Sequence, residues 1–169
     1  MENLLNHNFR LRRLPRYAKI ACAVFVLTLS VGYFTGLAFV FQTKSNTPIG
    51  LEENYNGNED DLEVMEMKFK KSPREMLTII HTHVLSISLI FFASGLLFFF
   101  SDAPKRIKPF LLVEPFISVL VTFGGIYLLW QGFNFMAYIV LVSGVLMTLS
   151  YVISVFYVLR ELFIASVEQ

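Results

Sequence analysis

Four long stretches of apolar residues, separated by three polar segments of unequal length, set the organisation of the chain. Ile20 to Phe41 runs 22 residues without a charge and follows Arg10, Arg12, Arg13, Arg16 and Lys19. Met76 to Phe100 is interrupted only by His81, His83 and small hydroxylated side chains, Phe110 to Trp130 by the single acid Glu114, and Phe135 to Leu159 by no charge at all. Apolar stretches of 18 residues or more read as membrane-spanning helices, which need about 20 residues to cross a hydrocarbon core roughly 30 Å thick. The first stretch is too long for a secretory h-region of about 7–15 residues and has no small-residue cleavage pattern after it, so it reads as a retained helix.

The polar segments divide the chain into one membrane domain over residues 1–169: a basic arm (1–19), span one (20–41), a long acidic loop (42–75), span two (76–100), a basic link (101–109), span three (110–130), a tight turn (131–134), span four (135–159) and a tail (160–169). The short link and the turn force antiparallel neighbours, giving an all-α four-helix bundle. The arm carries five Lys or Arg against one acid and the 101–109 link three against one, while the 42–75 loop carries five against eight acids. By the positive-inside rule both termini are cytoplasmic and the acidic loop is outside. Lys68, Lys70, Lys71 and Arg74 oppose that assignment, but two separate basic clusters agree on it. Leu62 to Arg74 is expected as an amphipathic segment lying on the outer surface.

Composition supports this reading and excludes others. The chain is 55% hydrophobic and only 16% charged, where a soluble domain carries about a quarter of its residues as charges. A water-soluble enzyme and a disordered chain are therefore excluded, and a net charge of +1 gives no reason to invoke nucleic acid. Cys22 is the single cysteine, so neither an internal disulfide nor a cysteine-based metal site can form. No glycine-rich phosphate loop, G-x-S-x-G or H-E-x-x-H is present. Gly32-x-x-x-Gly36, Ser94-Gly95, Gly124-Gly125 and Ser143-Gly144 place small residues on every span, where close helix approach uses them.

Ionisable residues within a bilayer are functional candidates, which narrows attention to His81, His83 and Glu114. Glu114, next to Pro115, reads as helix-start chemistry or as a partner for Lys105 or Lys108. His83 lies roughly 10 Å into span two at 1.5 Å per residue, and His81 about 200° from it around the helix, so the two cannot ligate one ion together without local unwinding. At least one is expected to face the bundle interior, with Tyr33, Tyr127, Gln131 and Tyr138 available as hydrogen-bond partners. Haem ligation by two histidines of one chain fails, since His7 is in the cytoplasmic arm. A haem would need His81 or His83 with Met136, an open position, or a second chain. A metal could combine His81 or His83 with Glu52, Glu53 or the further loop acids Glu59, Asp60 and Asp61.

The order Gly50, Tyr55-x-Gly57-x-Glu59, a basic stretch, then His81-x-His83 resembles a group of small uncharacterised bacterial four-span membrane proteins. That resemblance implies four spans, a bacterial inner membrane, and one site at the outer face joining loop and histidines; it implies no activity. Two functions follow as expectations. In the first, the chain is a subunit holding a haem, metal or quinone-like ligand near the outer leaflet through His81 or His83, with Tyr127, Met136 or loop acids. In the second, it is a non-catalytic assembly subunit that meets a larger membrane partner through its acidic loop and small-residue faces such as those of Gly32 and Gly125, the histidines serving only hydrogen bonds. An oligomeric transporter ranks third, because four spans alone offer little room for a pathway.

Overall fold

The computed structural model of the chain describes residues 10–59 and 66–164. His7, Asp60, Asp61 and residues 62–65 of the expected amphipathic segment lie outside them. The described residues are helical and contain no strand: α1 spans Arg16–Gln42, α2 Pro48–Asn56, α3 Pro73–Phe99, α4 Lys108–Trp130 and α5 Met136–Ile164. α1, α3, α4 and α5 are each long and apolar enough to cross a membrane, which makes a lipid bilayer their environment.

Helix starts follow local chemistry. Ser72 caps α3 through a reciprocal box with Glu75, and Pro73 occupies a first-turn position where its missing N–H is not needed. Thr47 caps α2 by a one-way bond, accepting from the Gly50 amide at 3.1 Å, again with a proline next. α4 begins at Lys108, two residues before the apolar stretch. Pro115 therefore lies inside the helix and not in its first turn, leaving the Leu111 carbonyl without its usual helical donor.

α4 is the central element, packed on α5 and α3, with α1 lying against α5. The largest core cluster joins Met76 and Phe91 of α3, Val119, Phe123, Ile126 and Leu129 of α4, and Ala137, Val140, Met147 and Tyr151 of α5. Gly125 faces inward: a Cβ there would stand 2.7 Å from Val140 Cγ2, so glycine is what lets α4 and α5 approach. Its expected place on a partner-facing surface is thereby corrected. Gly32 and Gly36 do lie open, with nothing within 4 Å of an added Cβ. α1 is pinned chiefly by rings and hydroxyls: Tyr33 stacks on the fully buried Tyr151 at 4.2 Å, its hydroxyl pairs with Thr148 Oγ1 at 3.0 Å, and Ser30 pairs with the Tyr151 hydroxyl at 3.1 Å.

Each end of the bundle is tied differently. At the basic end, a 3-10 turn at Leu11–Arg13 buries Leu11, whose amide donates to the Phe100 carbonyl at 3.3 Å. Arg10 pairs with Asp102 at 2.8 Å, and Glu161 of α5 accepts from the Asp102 amide at 2.7 Å. At the other end α2 lies across α4 and α5 and buries Leu51 in the main core. The loop is thus folded onto the bundle.

Candidate functional site

The loop motif residues have structural work to do. Gly57 ends α2 at φ 84° and ψ 174°, a conformation that side chains strain against, and an added Cβ would stand 2.7 Å from the Lys70 nitrogen. The close approach lets the chain around Gly57 run beside residues 66–71. The Asn58 amide donates to the Lys68 carbonyl and the Lys71 amide to the Tyr55 carbonyl, both at 3.0 Å, while Glu59 accepts from the Lys70 amide at 3.0 Å. Residues 67–72, part of the segment expected to lie on the outer surface, are therefore non-helical and bonded to the end of α2. A Cβ at Gly50 would meet the Lys44 carbonyl oxygen at 2.0 Å, so that position also admits only glycine. Burial pushes the Tyr55 hydroxyl up to about 12.

Glu52 and Glu53 are both engaged. Glu52 accepts from Asn134 Nδ2 at 2.7 Å, and Glu53 lies 3.9 Å from the Lys68 ammonium. Among the described residues no group of three or more His, Cys, Asp or Glu side chains could hold a metal ion. Trp130 donates to the Lys71 carbonyl at 2.8 Å and Tyr127 lies against it, ring centroids 5.8 Å apart. Met136, half-buried at the start of α5, packs on the main core.

Both histidines are exposed, which corrects the expectation that one faces the interior. The reason is the register of α3. Its inward stripe runs through Met76, Ile80, Val84, Ile87, Phe91, Ser94 and Phe98, a spacing of three and four residues. His81 follows Ile80 and His83 precedes Val84, so each is turned about 100° from the stripe, on opposite sides of it. Tyr33, one expected partner, is committed to Thr148 instead.

His83 is nevertheless held in place. Its ring lies over Phe123 of α4, centroids 5.2 Å apart and planes 29° from parallel, and Nδ1 stands 2.8 Å from the Ile79 carbonyl oxygen. A carbonyl can only accept, so Nδ1 is the donor, and in the neutral tautomer this leaves Nε2 as the ring's acceptor. α3 is about 40 Å long, and His83 lies about 15 Å along it from Pro73. Tyr127 lies one turn beyond Phe123 on the same face of α4.

Glu114 is placed differently from its sequence reading. It is buried between α4 and α5, and it pairs with neither Lys105 nor Lys108; the Lys108 ammonium instead donates to the carbonyls of Phe99 and Ser101 at 3.0 and 2.6 Å. One Glu114 carboxylate oxygen accepts from Ser118, four residues on along α4, and the other from Ser150 of α5. Thr122 and Ser143 form a further hydroxyl pair at 2.7 Å across the same seam. Sequence reasoning missed this seam, although Glu114, Ser118 and Thr122 at four-residue spacing already mark one polar face of a helix.

The chain matches, over residues 45–169, the Aq_1264_TM family, described as a transmembrane helical domain. The matched region begins after α1 and takes in α2 to α5. No curated protein and no solved structure matches the chain.

Proposed function

The chain belongs to this family of transmembrane helical domains, and from that premise we propose that it is a membrane subunit whose His83 supplies one ligand to a haem, a metal ion or a quinone-like group completed by a second chain. The observation that carries the reading is the fixed imidazole. A metal-binding histidine characteristically donates its second ring N–H to a carbonyl or carboxylate, which sets the tautomer and aims the other nitrogen. His83 has that arrangement already, with Ile79 as acceptor and Phe123 as backing. An unpaired polar group in hydrocarbon costs several kcal/mol, so an Nε2 lone pair facing lipid calls for a metal or a hydroxyl donor to meet it.

Among the described residues no further ligand comes to His83, which is why the reading needs a partner. Tyr127, one turn beyond Phe123, forms a side wall of the site, His81 lies across the inward stripe of α3, outside the site, and Met136, Glu52 and Glu53 serve the fold. With the basic end in the cytoplasm, as the Lys and Arg distribution favours, the site lies in the outer leaflet of a bacterial inner membrane.

The test is an oxidised-minus-reduced visible spectrum with elemental analysis on the detergent-extracted parent, His81→Ala and His83→Ala proteins. Loss of a Soret band or of stoichiometric metal in His83→Ala alone supports the reading. Colourless, metal-free and quinone-free protein in all three sinks it. A second reading, a non-catalytic assembly subunit, is favoured by the open Gly32 and Gly36 face on α1. It predicts that Gly32→Leu removes a co-purifying protein while His83→Ala does not.

A further inference from the structure

The start of α1 leaves backbone donors without acceptors. The helix begins at Arg16 behind Pro15, an N-cap residue with no side chain able to accept a hydrogen bond, and its first turn holds no acid. Lys19 donates its amide to the Pro15 carbonyl at 3.0 Å, but the amides of Arg16, Tyr17 and Ala18 meet no acceptor among the described residues. Such amides carry the positive end of the helix dipole and favour an anion.

A second, independent feature stands over the same turn. Lys19 is only 9% exposed, on the stripe with Ala23 and Val26 by which α1 packs against α5. Its stem is buried but its head is not, because Asn56 Oδ1 is the only described side-chain N or O atom enclosed without a partner. The head therefore reaches the surface, and since side chains on a helix tilt toward its N-terminus, it does so over residues 16–18. No carboxylate lies within 4.0 Å of it among the described residues. The nearby acids are engaged elsewhere: Asp102 holds Arg10 and Arg12, and Glu161 accepts from the Arg12 and Asp102 amides. Arg16, exposed and equally without an ion pair among the described residues, adds a guanidinium that stays charged.

The uncharged stretch of α1 begins at Ile20, so Arg16 to Lys19 mark where the helix passes from hydrocarbon to the headgroup layer. Tyr17, Ile20 and Val24 are exposed along the adjoining surface of α1 and offer a track for acyl chains. We propose that the start of α1 binds the phosphate of an anionic phospholipid, its oxygens accepting from the amides of residues 16–18 and from Lys19 and Arg16, its chains lying along Ile20 and Val24. A zwitterionic lipid brings an ammonium of its own against Arg16 and Lys19, so a headgroup without a cation is preferred. The site is at the opposite end of the bundle from His83, so its fate does not depend on the function proposed above.

The test is native mass spectrometry of the full chain in a neutral maltoside detergent, titrated with phosphatidylglycerol, phosphatidylcholine and inorganic phosphate. The first phosphatidylglycerol should bind roughly tenfold more tightly than phosphatidylcholine, and millimolar inorganic phosphate should not displace it. Lys19→Gln keeps a long stem without the ammonium and should lose the preference. Lys105→Gln removes a charge from the same end of the bundle but outside the site, and should keep it. Pro15→Asp supplies the missing cap and sets a carboxylate where the phosphate would sit, so it should weaken phosphatidylglycerol binding in a chain that melts no lower than the parent. Equal binding of the two lipids by the parent, an undiminished preference in Lys19→Gln or Pro15→Asp, an equal loss in Lys105→Gln, or displacement by inorganic phosphate would each overturn the proposal.

Discussion

Replacing Gly57 by Ala should open the folded loop while leaving the four spans standing. Gly57 sits at φ 84° and ψ 174°, a region almost confined to glycine, and placing a side chain there costs about 1–3 kcal/mol. The new methyl would also stand 2.7 Å from the Lys70 nitrogen and 2.9 Å from the Lys68 oxygen, both backbone atoms that no rotamer change can move. Relief requires residues 67–71 to separate from 55–59, loosening the Asn58-to-Lys68 and Lys71-to-Tyr55 hydrogen bonds, each worth about 0.5–1.5 kcal/mol. The sum is about 2–6 kcal/mol of local stability. At about 1.4 kcal/mol per tenfold, the Asn58 and Lys71 amides should exchange with deuterium roughly 30 to 20,000 times faster. Amides in the middle of α4 and α5, bonded within their own helices, should keep the parent rate. Unchanged exchange at Asn58 and Lys71 in Gly57→Ala would refute the reasoning.

Other perturbations test other parts of the account. Tyr55 is raised by burial to about 12 from an ordinary value near 10, so between those limits the unfolded loop loses the proton first and stability must fall as pH rises. The full effect is about 2–3 kcal/mol. An alkaline unfolding profile should show it in the parent and lose it in Tyr55→Phe. Gly125→Leu drives a side chain into Val140, and even smaller overpacking costs about 1–3 kcal/mol, so its detergent melting temperature should drop sharply. Gly32→Leu, which meets nothing within 4 Å, should melt like the parent. Glu161→Ala removes the acceptor of the Asp102 amide, and faster proteolysis at the 101–107 link should report it.

The spans were legible because a bilayer imposes length and apolarity on any helix that crosses it, and those quantities are visible in one dimension. α2 was not anticipated, since its nine residues mix Leu51 with Glu52 and Glu53 and show no long period; the Thr47-Pro48 start was the available signal. Glu114 was misjudged because depth was counted from the apolar stretch, and because its partner Ser150 lies 36 positions away in sequence. The angular separation of His81 and His83 followed from helix geometry alone. Which sector faced inward did not, because the stripe passes between them through Ile80 and Val84, and only packing against α4 fixes that choice. The open flank of α3 is a property of the assembled bundle, not of any local pattern.

The most direct test of the central claim is native mass spectrometry of the complex released from membranes in a mild detergent, comparing the parent with His83→Ala. A ligand held by the Nε2 of His83 predicts that the parent carries a defined non-protein mass together with a second chain, and that His83→Ala loses this mass while remaining folded. A His83→Ala complex that retains the same non-protein mass, or a parent that carries none, would contradict it.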